Sequence, residues 1–269
     1  MAETTTEKPA TTKPQDQAVE TRPGWRESVE SLLVTIILAL FATCFVVQAF
    51  KIPSPSMEPT LLVGDHLLVN KFIFEGNGAW YDRFLPYRAI RHEDVIVFKF
   101  PFQDHPHYVK RVIGLPGDRV KIINSVVYVN GKALKEPYAV HDAAAYDPFA
   151  ENFPPTNQDY LDAAVLPQWR QELPHYVNAA GELVVPPGHY FVMGDNRDHS
   201  WDSRYWGFVP RDAIMGRPVV IYWSLKEPDE SEDDTSTTTS SRNWMFSLID
   251  TLLRLPVETR WHRMMKEVH

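Results

Sequence analysis

YVKRVIGLPGD, residues Tyr108–Asp118, is a run of strand-forming residues that ends in a turn rich in glycine and proline. In a β-strand, Lys110 shares one face with Tyr108 and Val112. Arg111 points to the opposite side, where we expect it to remain hydrated. The segment therefore predicts a strand that presents one lysine on an otherwise apolar face and is followed by a tight turn.

Further short strands are predicted on both sides of this segment, because β-branched and aromatic residues recur between turn residues. Asn130-Gly131 predicts a two-residue type I′ hairpin, in which both central residues have positive φ. The expected strands are Asp94–Phe100, Asp118–Ile123, Val126–Val129, His189–Met193 and Val219–Trp223. We expect residues 51–226 to form a mainly β, antiparallel domain, with residues 136–183 as an inserted subdomain that lacks periodicity.

An uncharged apolar segment, Ser31–Phe50, precedes this domain. As a helix rising about 1.5 Å per residue it would span roughly 30 Å, the thickness of a hydrocarbon core, so we predict one transmembrane helix. A buried core helix is the less favoured alternative. Lys13, Arg22 and Arg26 lie near its N-terminal side and only Lys51 near the other. This asymmetry predicts a cytoplasmic N-terminus and a domain on the extracytoplasmic side of the cell (inner or plasma) membrane.

The residues before this segment, 1–30, are rich in Thr, Glu, Lys and Pro and have almost no large apolar side chains. They predict a disordered cytoplasmic segment. A cleavable signal peptide that ends at Val47-Gln48-Ala49 is the competing interpretation. The long acidic region in front and the length of the apolar run favour an uncleaved anchor.

The other end of the chain is predicted to be a linker and a helix. Residues 227–243 are acidic and rich in Ser and Thr, which is typical of a flexible linker. Residues 244–269 predict an amphipathic helix. Its apolar face contains Met245, Leu248, Ile249, Leu252 and Leu255, and Arg260, Trp261, Arg263 and Lys266 follow. Docking on an anionic membrane surface and packing against the protein's own domain both remain open.

The composition excludes several classes of function. The chain has 27 Lys and Arg against 35 Asp and Glu, a net charge of −8, and it lacks a basic stripe. We therefore expect no nucleic-acid partner. The one cysteine, Cys44, lies inside the apolar segment, so disulfides cannot stabilise the fold and thiol catalysis is disfavoured.

A serine hydroxyl needs a base before it becomes a nucleophile. No histidine stands in an arrangement that resembles a Ser–His triad, and His105-Pro106-His107 lacks a third metal ligand, so we interpret it as a solvated turn. A lysine can serve as the base if burial lowers its pKa from about 10.4. Lys110 and Ser56, in PSPSMEPT (Pro53–Thr60), are the candidates. Taken singly, each would be an ordinary charged strand residue or a turn serine.

A third motif, GDNRDHSWDSRYWG at Gly194–Gly207, makes the pair more informative. It is no EF-hand, because Arg197 and His199 interrupt the alternating oxygen ligands that calcium requires. Together with Ser56–Thr60 and Lys110–Asp118, this segment resembles the conserved boxes of type I signal peptidases, also called leader peptidases.

The resemblance implies a role for each motif. Ser56 would attack the scissile carbonyl and form an acyl-enzyme, and a neutral Lys110 would accept its proton and later activate water. Ser200 would hydrogen-bond the lysine amine. The Ser56 N–H and the Ser54 hydroxyl would form the oxyanion hole. Structural support would come from Asp195 and from an ion pair between Asp202 and Arg204.

The resemblance also implies the substrates. Shallow pockets would select small side chains, so that secretory preproteins are cleaved after Ala-X-Ala-like sequences at the end of the signal peptide. The residues matching pocket positions are Ile52, Pro53, Met57, Leu61, Tyr108 and Val109. We expect membrane lipid as a further partner, a monomer, and no cofactor or metal.

Two departures from the family pattern stand near the proposed site. Pro55 lies between the two serines and biases Ser54 towards an extended backbone. His199 and Trp201 replace the asparagine and small residue that are common there, and we expect His199 to have at most a modest effect near neutral pH. The alternatives are a Ser–Lys protease with a narrow target and a non-catalytic, membrane-anchored β module that binds secreted chains.

Overall fold

The computed structural model of the protein describes residues 24–41, 47–74, 87–102, 107–145, 147–155, 164–226 and 258–268. The chain divides into two units, residues 1–42 and residues 43–269. The first unit contains helix α1, Gly24–Phe41, whose large apolar side chains from Trp25 to Leu40 are exposed. Among the helices within the described ranges, none is both long enough and apolar enough to cross a bilayer.

The predicted helix over Ser31–Phe50 is wrong at its C-terminal end. Val47–Lys51 is a strand that pairs antiparallel with Asp65–Asn70, from Val47 opposite Asn70 to Lys51 opposite His66. Strand pairing satisfies the backbone of these residues within the second unit, so the apolar run contributes to two different elements.

The second unit consists of two antiparallel sheets. Its strands are β1 (Val47–Lys51), β2 (Asp65–Asn70), β3 (Val95–Lys99), β4 (His107–Gly114), β5 (Arg119–Ile123), β6 (Val126–Val129), β7 (Lys132–Ala133), β8 (Leu183–Val184), β9 (His189–Met193), β10 (Val209–Pro210), β11 (Ile214–Ser224) and β12 (Lys266–Glu267). The larger sheet has the order β1-β2-β11-β3-β4-β9-β10, with β12 paired to β11. The smaller sheet has the order β7-β6-β5-β8. The predicted antiparallel β domain is confirmed.

Local sequence explains most of these strands. In β2, Leu67 and Val69 are fully buried and alternate with partly exposed residues, as a strand with one face on the core requires. The hairpin between β6 and β7 turns at Asn130 and Gly131, with φ of 53° and 76°. The type I′ prediction is therefore confirmed.

The core has two parts. The larger one lies between the sheets and is rich in aromatic rings, among them Phe98, Phe153 and Trp206. The smaller one lies under the segment that follows β1. It consists of Ile52, Met57, Leu61, Leu67, Val69, Val95, Val97, Ile221 and Val268. This second core is the floor on which the proline-rich motif rests.

Three short helices complete the unit, namely α2 (Pro148–Glu151), α3 (Pro167–Tyr176) and α4 (Ser203–Trp206). The first two lie in the segment predicted as an insertion, 136–183. Their side chains are part of the larger core, because Phe149 and Trp169 are buried there. The Trp169 indole N–H also donates to the carbonyl oxygen of Arg204, at 3.1 Å. The segment therefore supports the Gly194–Gly207 motif.

The predicted C-terminal helix is wrong from Thr259 to Val268. Residues 244–257 lie outside the described residues, but Thr259–Val268 forms a short 3-10 turn, Trp261–Arg263, and the strand β12. Val268 is buried in the second core. Burial of that side chain and pairing with β11 favour the extended form, so this segment packs against the protein's own domain.

Candidate active site

Ser56 lies in a 3-10 turn, Pro55–Met57, directly after β1. Pro55 occupies the first position of the turn, where its fixed φ is already suitable. Ser54 before it is extended, with φ −134° and ψ 152°, as predicted from the proline. Met57 is buried in the second core and holds the turn, so the Ser56 side chain, 7% exposed, has a fixed position.

Lys110 reaches this serine from β4, which pairs with β3. Its Nζ donates to the Oγ of Ser56 at 2.5 Å, and the side chain is 2% exposed. Burial lowers the pKa of Lys110 to about 8, with a further lowering from Arg204, although the carboxylates of Asp202 and Asp195 raise it. Because an ammonium in this site has lost its hydration, the neutral amine that a base requires is accessible near neutral pH.

Arg111 does not stay hydrated as predicted. It faces the opposite side of β4 from Lys110 but is 2% exposed. Its Nε and NH2 donate to the two carboxylate oxygens of Asp195 at 2.8 and 2.6 Å, and Tyr138 covers its guanidinium at 3.9 Å. Strand alternation predicted the direction of the side chain, but the partners that bury it come from distant loops.

The Gly194–Gly207 motif also holds the turn that carries Ser56, Pro55–Met57. The Asn196 N–H donates to the carbonyl oxygen of Ser56 at 3.1 Å, and its side-chain amide donates to that of Pro55 at 3.3 Å. The Thr60 hydroxyl donates to Asp195 at 2.6 Å. Sequence reasoning gave no role to Thr60 or Asn196, although both lie inside the quoted motifs.

Asp202 is the centre of a buried polar network. Its carboxylate accepts from Nε and NH2 of Arg204, both at 2.9 Å, from the Gly194 N–H at 3.1 Å and from the Ser200 hydroxyl at 2.8 Å. Burial would raise the pKa of Asp202, but the charge and hydrogen bonds of Arg204 outweigh it and hold this pKa below its usual range. The carboxyl is therefore ionised throughout the working range of Lys110.

Ser200 was expected to hydrogen-bond the lysine amine, but its hydroxyl has a different partner. Its proton goes to Asp202, and within the described part of the chain the Lys110 amine forms its hydrogen bond with Ser56. Ser200 still lies against the nucleophile turn. A methyl group added at Gly194 would collide with both the Ser200 Oγ and the Ser56 carbonyl oxygen. Glycine at this position lets the two segments approach each other.

A cleft of about 200 Å³ opens beside Ser56 and Lys110. Of the residues predicted to form pockets, Ile52, Pro53, Met57, Tyr108 and Val109 line it, together with Phe50, Lys51 and His107, which were not predicted. Leu61 does not line the cleft, because it is fully buried in the core beneath Met57. The Ser54 hydroxyl lies at its rim, 3.3 Å from the Ser56 Oγ.

His199 and His107 contact residues other than Ser56 and Lys110. His199 pairs with Asp142, at 3.1 Å, and is about half exposed, while the ring of His107 meets Phe50 edge-on at 5.0 Å. Trp201 donates its indole N–H to the Ala164 carbonyl oxygen. No group of three His, Cys, Asp or Glu side chains in the described ranges is arranged to hold a metal, and His105 lies outside those ranges.

Residues 25–223 match the family model described as signal peptidase, peptidase S26. The chain belongs to the signal peptidase family. The matched range includes all three motifs and both residues of the Ser56–Lys110 pair, so the resemblance inferred from the sequence is confirmed.

Individual relatives agree with this signal peptidase assignment. The chain is 34% identical over 253 residues to signal peptidase I of Aquifex aeolicus (strain VF5), an alignment that covers 84% of this chain and 94% of the relative. It is 36% identical over 222 residues to signal peptidase I of Pseudomonas fluorescens, covering 74% and 72% of the two chains. It is 36% identical over 194 residues to signal peptidase I of Bacillus caldolyticus, covering 72% and 89%.

Proposed function

We propose that this chain is a signal peptidase I that removes signal peptides from secretory preproteins with a Ser56–Lys110 dyad. The observation that carries the proposal is the buried Lys110 amine at 2.5 Å from the Ser56 Oγ. Among the described residues, no carboxylate hydrogen-bonds this amine. A buried lysine in such surroundings is costly unless it is neutral, and a neutral amine beside a hydroxyl is a base.

The dyad can perform both halves of a hydrolysis. Lys110 takes the Ser56 proton as the Oγ attacks the scissile carbonyl. The C–N bond then breaks, the new amine of the mature protein leaves with that proton, and an ester on Ser56 remains. Lys110 next takes a proton from water, whose hydroxide attacks the ester. The signal peptide leaves as a carboxylic acid, and Ser56 regains its proton from Lys110.

Negative charge develops on the carbonyl oxygen in both steps. The Ser56 N–H and the Ser54 hydroxyl are the proposed donors to this oxyanion, and each such donor typically contributes about 3 kcal/mol to the stabilisation of the transition state. Asn196 favours this arrangement, because its hydrogen bonds to the carbonyl groups of Pro55 and Ser56 fix the orientation of the turn.

The cleft favours small side chains on the substrate. Its walls are mainly apolar, and its volume of about 200 Å³ leaves room for little more than an extended backbone with alanine-sized groups. The ladder between β4 and β9 begins at Arg111, so the preceding residues of β4 offer a strand edge to an extended peptide. This supports cleavage after Ala-X-Ala-like sequences.

We propose that the enzyme acts as a membrane-bound monomer with its N-terminus in the cytoplasm. The support is the uncharged stretch of α1 from Ser31 to Leu40, whose large apolar side chains are exposed; Leu32, Ile37 and Leu38 are about 60% exposed. Lipid is the solvent that such a surface fits. Carbonate extraction of cell membranes tests this, because an anchored chain stays in the pellet, whereas a chain that begins at Thr43 is extracted.

The function itself is tested by incubating detergent-solubilised protein with a preprotein. We expect Ser56→Ala and Lys110→Met to lower kcat/KM by at least about 1,000-fold while the thermal unfolding transition is retained. Lys132→Met, an exposed lysine on β7, is the matched control and should cleave like the wild type. If Lys110→Met cleaves as fast as the wild type, the dyad mechanism is refuted. The absence of any cleavage by the wild type would favour a binding module.

A further inference from the structure

The segment that carries Ser56 is a loop closed on one buried residue, Asp65. At its base the Ile52 N–H donates to the Asp65 carbonyl oxygen at 2.9 Å, and the Gly64 N–H donates to that of Ile52 at 3.0 Å. The Asp65 carboxylate is fully buried and accepts from the Leu62 N–H at 2.9 Å and the Ser224 hydroxyl at 2.5 Å. The loop that carries Ser56 therefore has a buried negative charge at the point where its two ends meet.

The countercharge comes from the far end of the chain. Arg263, 6% exposed, donates from NH2 and Nε to the two carboxylate oxygens of Asp65 at 2.6 and 3.2 Å. The same NH2 donates to the carbonyl oxygen of Thr60 at 3.0 Å. A buried carboxylate needs such a partner, because an unpaired buried charge costs several kcal/mol.

Thr60 joins this contact to the catalytic lysine. Its hydroxyl donates to Asp195, whose carboxylate is held by Arg111, the neighbour of Lys110 on β4. Its carbonyl oxygen is held by Arg263. One residue, four positions after Ser56, is thus tied on one side to the strand of the base and on the other to the C-terminal segment.

Two more contacts make the C-terminal segment, Thr259–Val268, a support for the loop. Arg260 donates from NH1 to the carbonyl oxygen of Val63 at 2.9 Å. Val268 packs in the second core with Ile52, Met57 and Leu61, directly under the nucleophile turn. The segment therefore contacts the loop at three places: at Asp65, where the loop closes, at Val63, and in the core beneath Met57.

We infer that Thr259–Val268 is a positioning element for the nucleophile and that Arg263 is its principal positioning residue. This rests on the proposed function of the Ser56–Lys110 dyad. Without Arg263 the buried Asp65 carboxylate loses its countercharge, and the Thr60 carbonyl loses its donor. The loop then relaxes, and Ser56 leaves the short contact with Lys110 on which proton transfer depends.

The test compares Arg263→Gln and Arg263→Lys in the full-length protein, with Lys266→Gln as the control. Lys266 is an exposed cation of the same segment, on β12. We expect Arg263→Gln to lower kcat about 10- to 100-fold with a change in KM of less than about threefold, since misplacement of a reacting group acts on the chemical step. Arg263→Lys should recover part of kcat, because it keeps the charge but not the fork that spans two acceptors. Lys266→Gln should match the wild type.

Two further readouts separate positioning from folding. Rates are measured well below each variant's melting temperature. The acidic limb of the pH–rate profile should keep its wild-type midpoint, because the charges that act on Lys110, those of Asp202, Arg204 and Asp195, are retained. A wild-type kcat in Arg263→Gln overturns the inference, and so does a loss that merely follows the unfolded fraction.

If Arg263→Gln does not fold, Val268→Ala decides, since it weakens the same support without removing a charge. A reduced kcat supports the inference and an unchanged one overturns it.

The same series keeps the two proposals apart. If Lys110→Met cleaves as well as the wild type, the proposed Ser56–Lys110 mechanism is refuted, whatever the result for Arg263→Gln. If Lys110→Met is inactive and Arg263→Gln is fully active, the dyad stands and the positioning role falls.

Discussion

Lys110 and Arg111 are adjacent on β4 and both are 2% exposed, but their hydrogen-bond partners differ in charge. Arg111 has both oxygens of the Asp195 carboxylate within 2.8 Å, whereas the hydrogen-bond partner of Lys110 is the neutral hydroxyl of Ser56. Strand alternation sends the two side chains to opposite faces. The strand thus places Arg111 against a carboxylate and Lys110, whose pKa burial lowers to about 8, against Ser56.

The pH dependence of cleavage should report this neutral amine. With the pKa of Lys110 at about 8, roughly one molecule in ten has a neutral base at pH 7 and nine in ten at pH 9. We expect kcat/KM to rise about tenfold per pH unit below pH 7 and to level off above pH 9. Initial rates with a preprotein peptide in constant-ionic-strength buffers measure it. A flat profile between pH 6 and 9 would show that no group of this kind limits the reaction.

The same pKa predicts how stability depends on pH. Because the pKa of Lys110 is lower in the folded protein, at about 8, than its ordinary value of 10.5, the unfolded chain binds more protons between these values. The free energy of unfolding should therefore gain a contribution as pH rises from about 8 to about 10.5, on the order of 3 kcal/mol in total.

Lys110→Met isolates this contribution, because all other titrating groups cancel in the difference from the wild type. The variant should be more stable relative to the wild type at pH 7 than at pH 10, as measured by urea unfolding at both values. Lys132→Met, with its amine on the surface, should show no such trend. A difference that is the same at both pH values would mean that Lys110 is not perturbed.

The sequence predicted most of the strands well, because strand formation there depends on local patterns. Alternation around Lys110 and the Asn130-Gly131 turn predicted β4 and the hairpin between β6 and β7. The strand β1 was missed, since an apolar run does not reveal where a helix gives way to an extended segment. Its extended form depends on pairing with β2, a contact that lies beyond any local pattern.

The supporting residues of the site could not be predicted for a related reason. Arg111 and Arg263 are ordinary cations in the sequence, and only the tertiary fold brings Asp195 and Asp65 against them. The helical pattern after Met245 gave no sign that Thr259–Val268 returns to the sheet as β12. Single-sequence patterns show which side chains can react, while the partners that place them come from chain segments far apart.

Asp202 and Arg204 should move the pH–rate profile in opposite directions. The Asp202 carboxylate raises the pKa of Lys110 and the Arg204 guanidinium lowers it. We therefore expect the acidic limb to shift to lower pH in Asp202→Asn and to higher pH in Arg204→Met. Each variant should also lose about 3–5 kcal/mol of stability, because it leaves a buried charge unpaired. The profiles are measured below the melting temperature of the weaker variant.

The control for this pair is Asp212→Asn, which removes an exposed carboxylate in the turn before β11. It should leave both the profile and the stability unchanged. Shifts of the same sign in Asp202→Asn and Arg204→Met would indicate that general loosening of the site, rather than the charge of each group, changes the pKa.

Gly194→Ala tests the close approach between the Gly194–Gly207 motif and the turn that carries Ser56. The added methyl group would collide with the Ser200 Oγ and with the Ser56 carbonyl oxygen, a backbone atom that cannot rotate away. The Gly194–Gly207 motif must then move back from the turn that carries Ser56, which should cost about 1–3 kcal/mol of stability and lower kcat about 10- to 100-fold.

Gly24→Ala is the matched control, because nothing lies within 4 Å of a Cβ there. Chemical unfolding and steady-state cleavage measure the two effects. Wild-type kcat in Gly194→Ala would mean that the turn tolerates displacement and that the contact at Gly194 does not position Ser56.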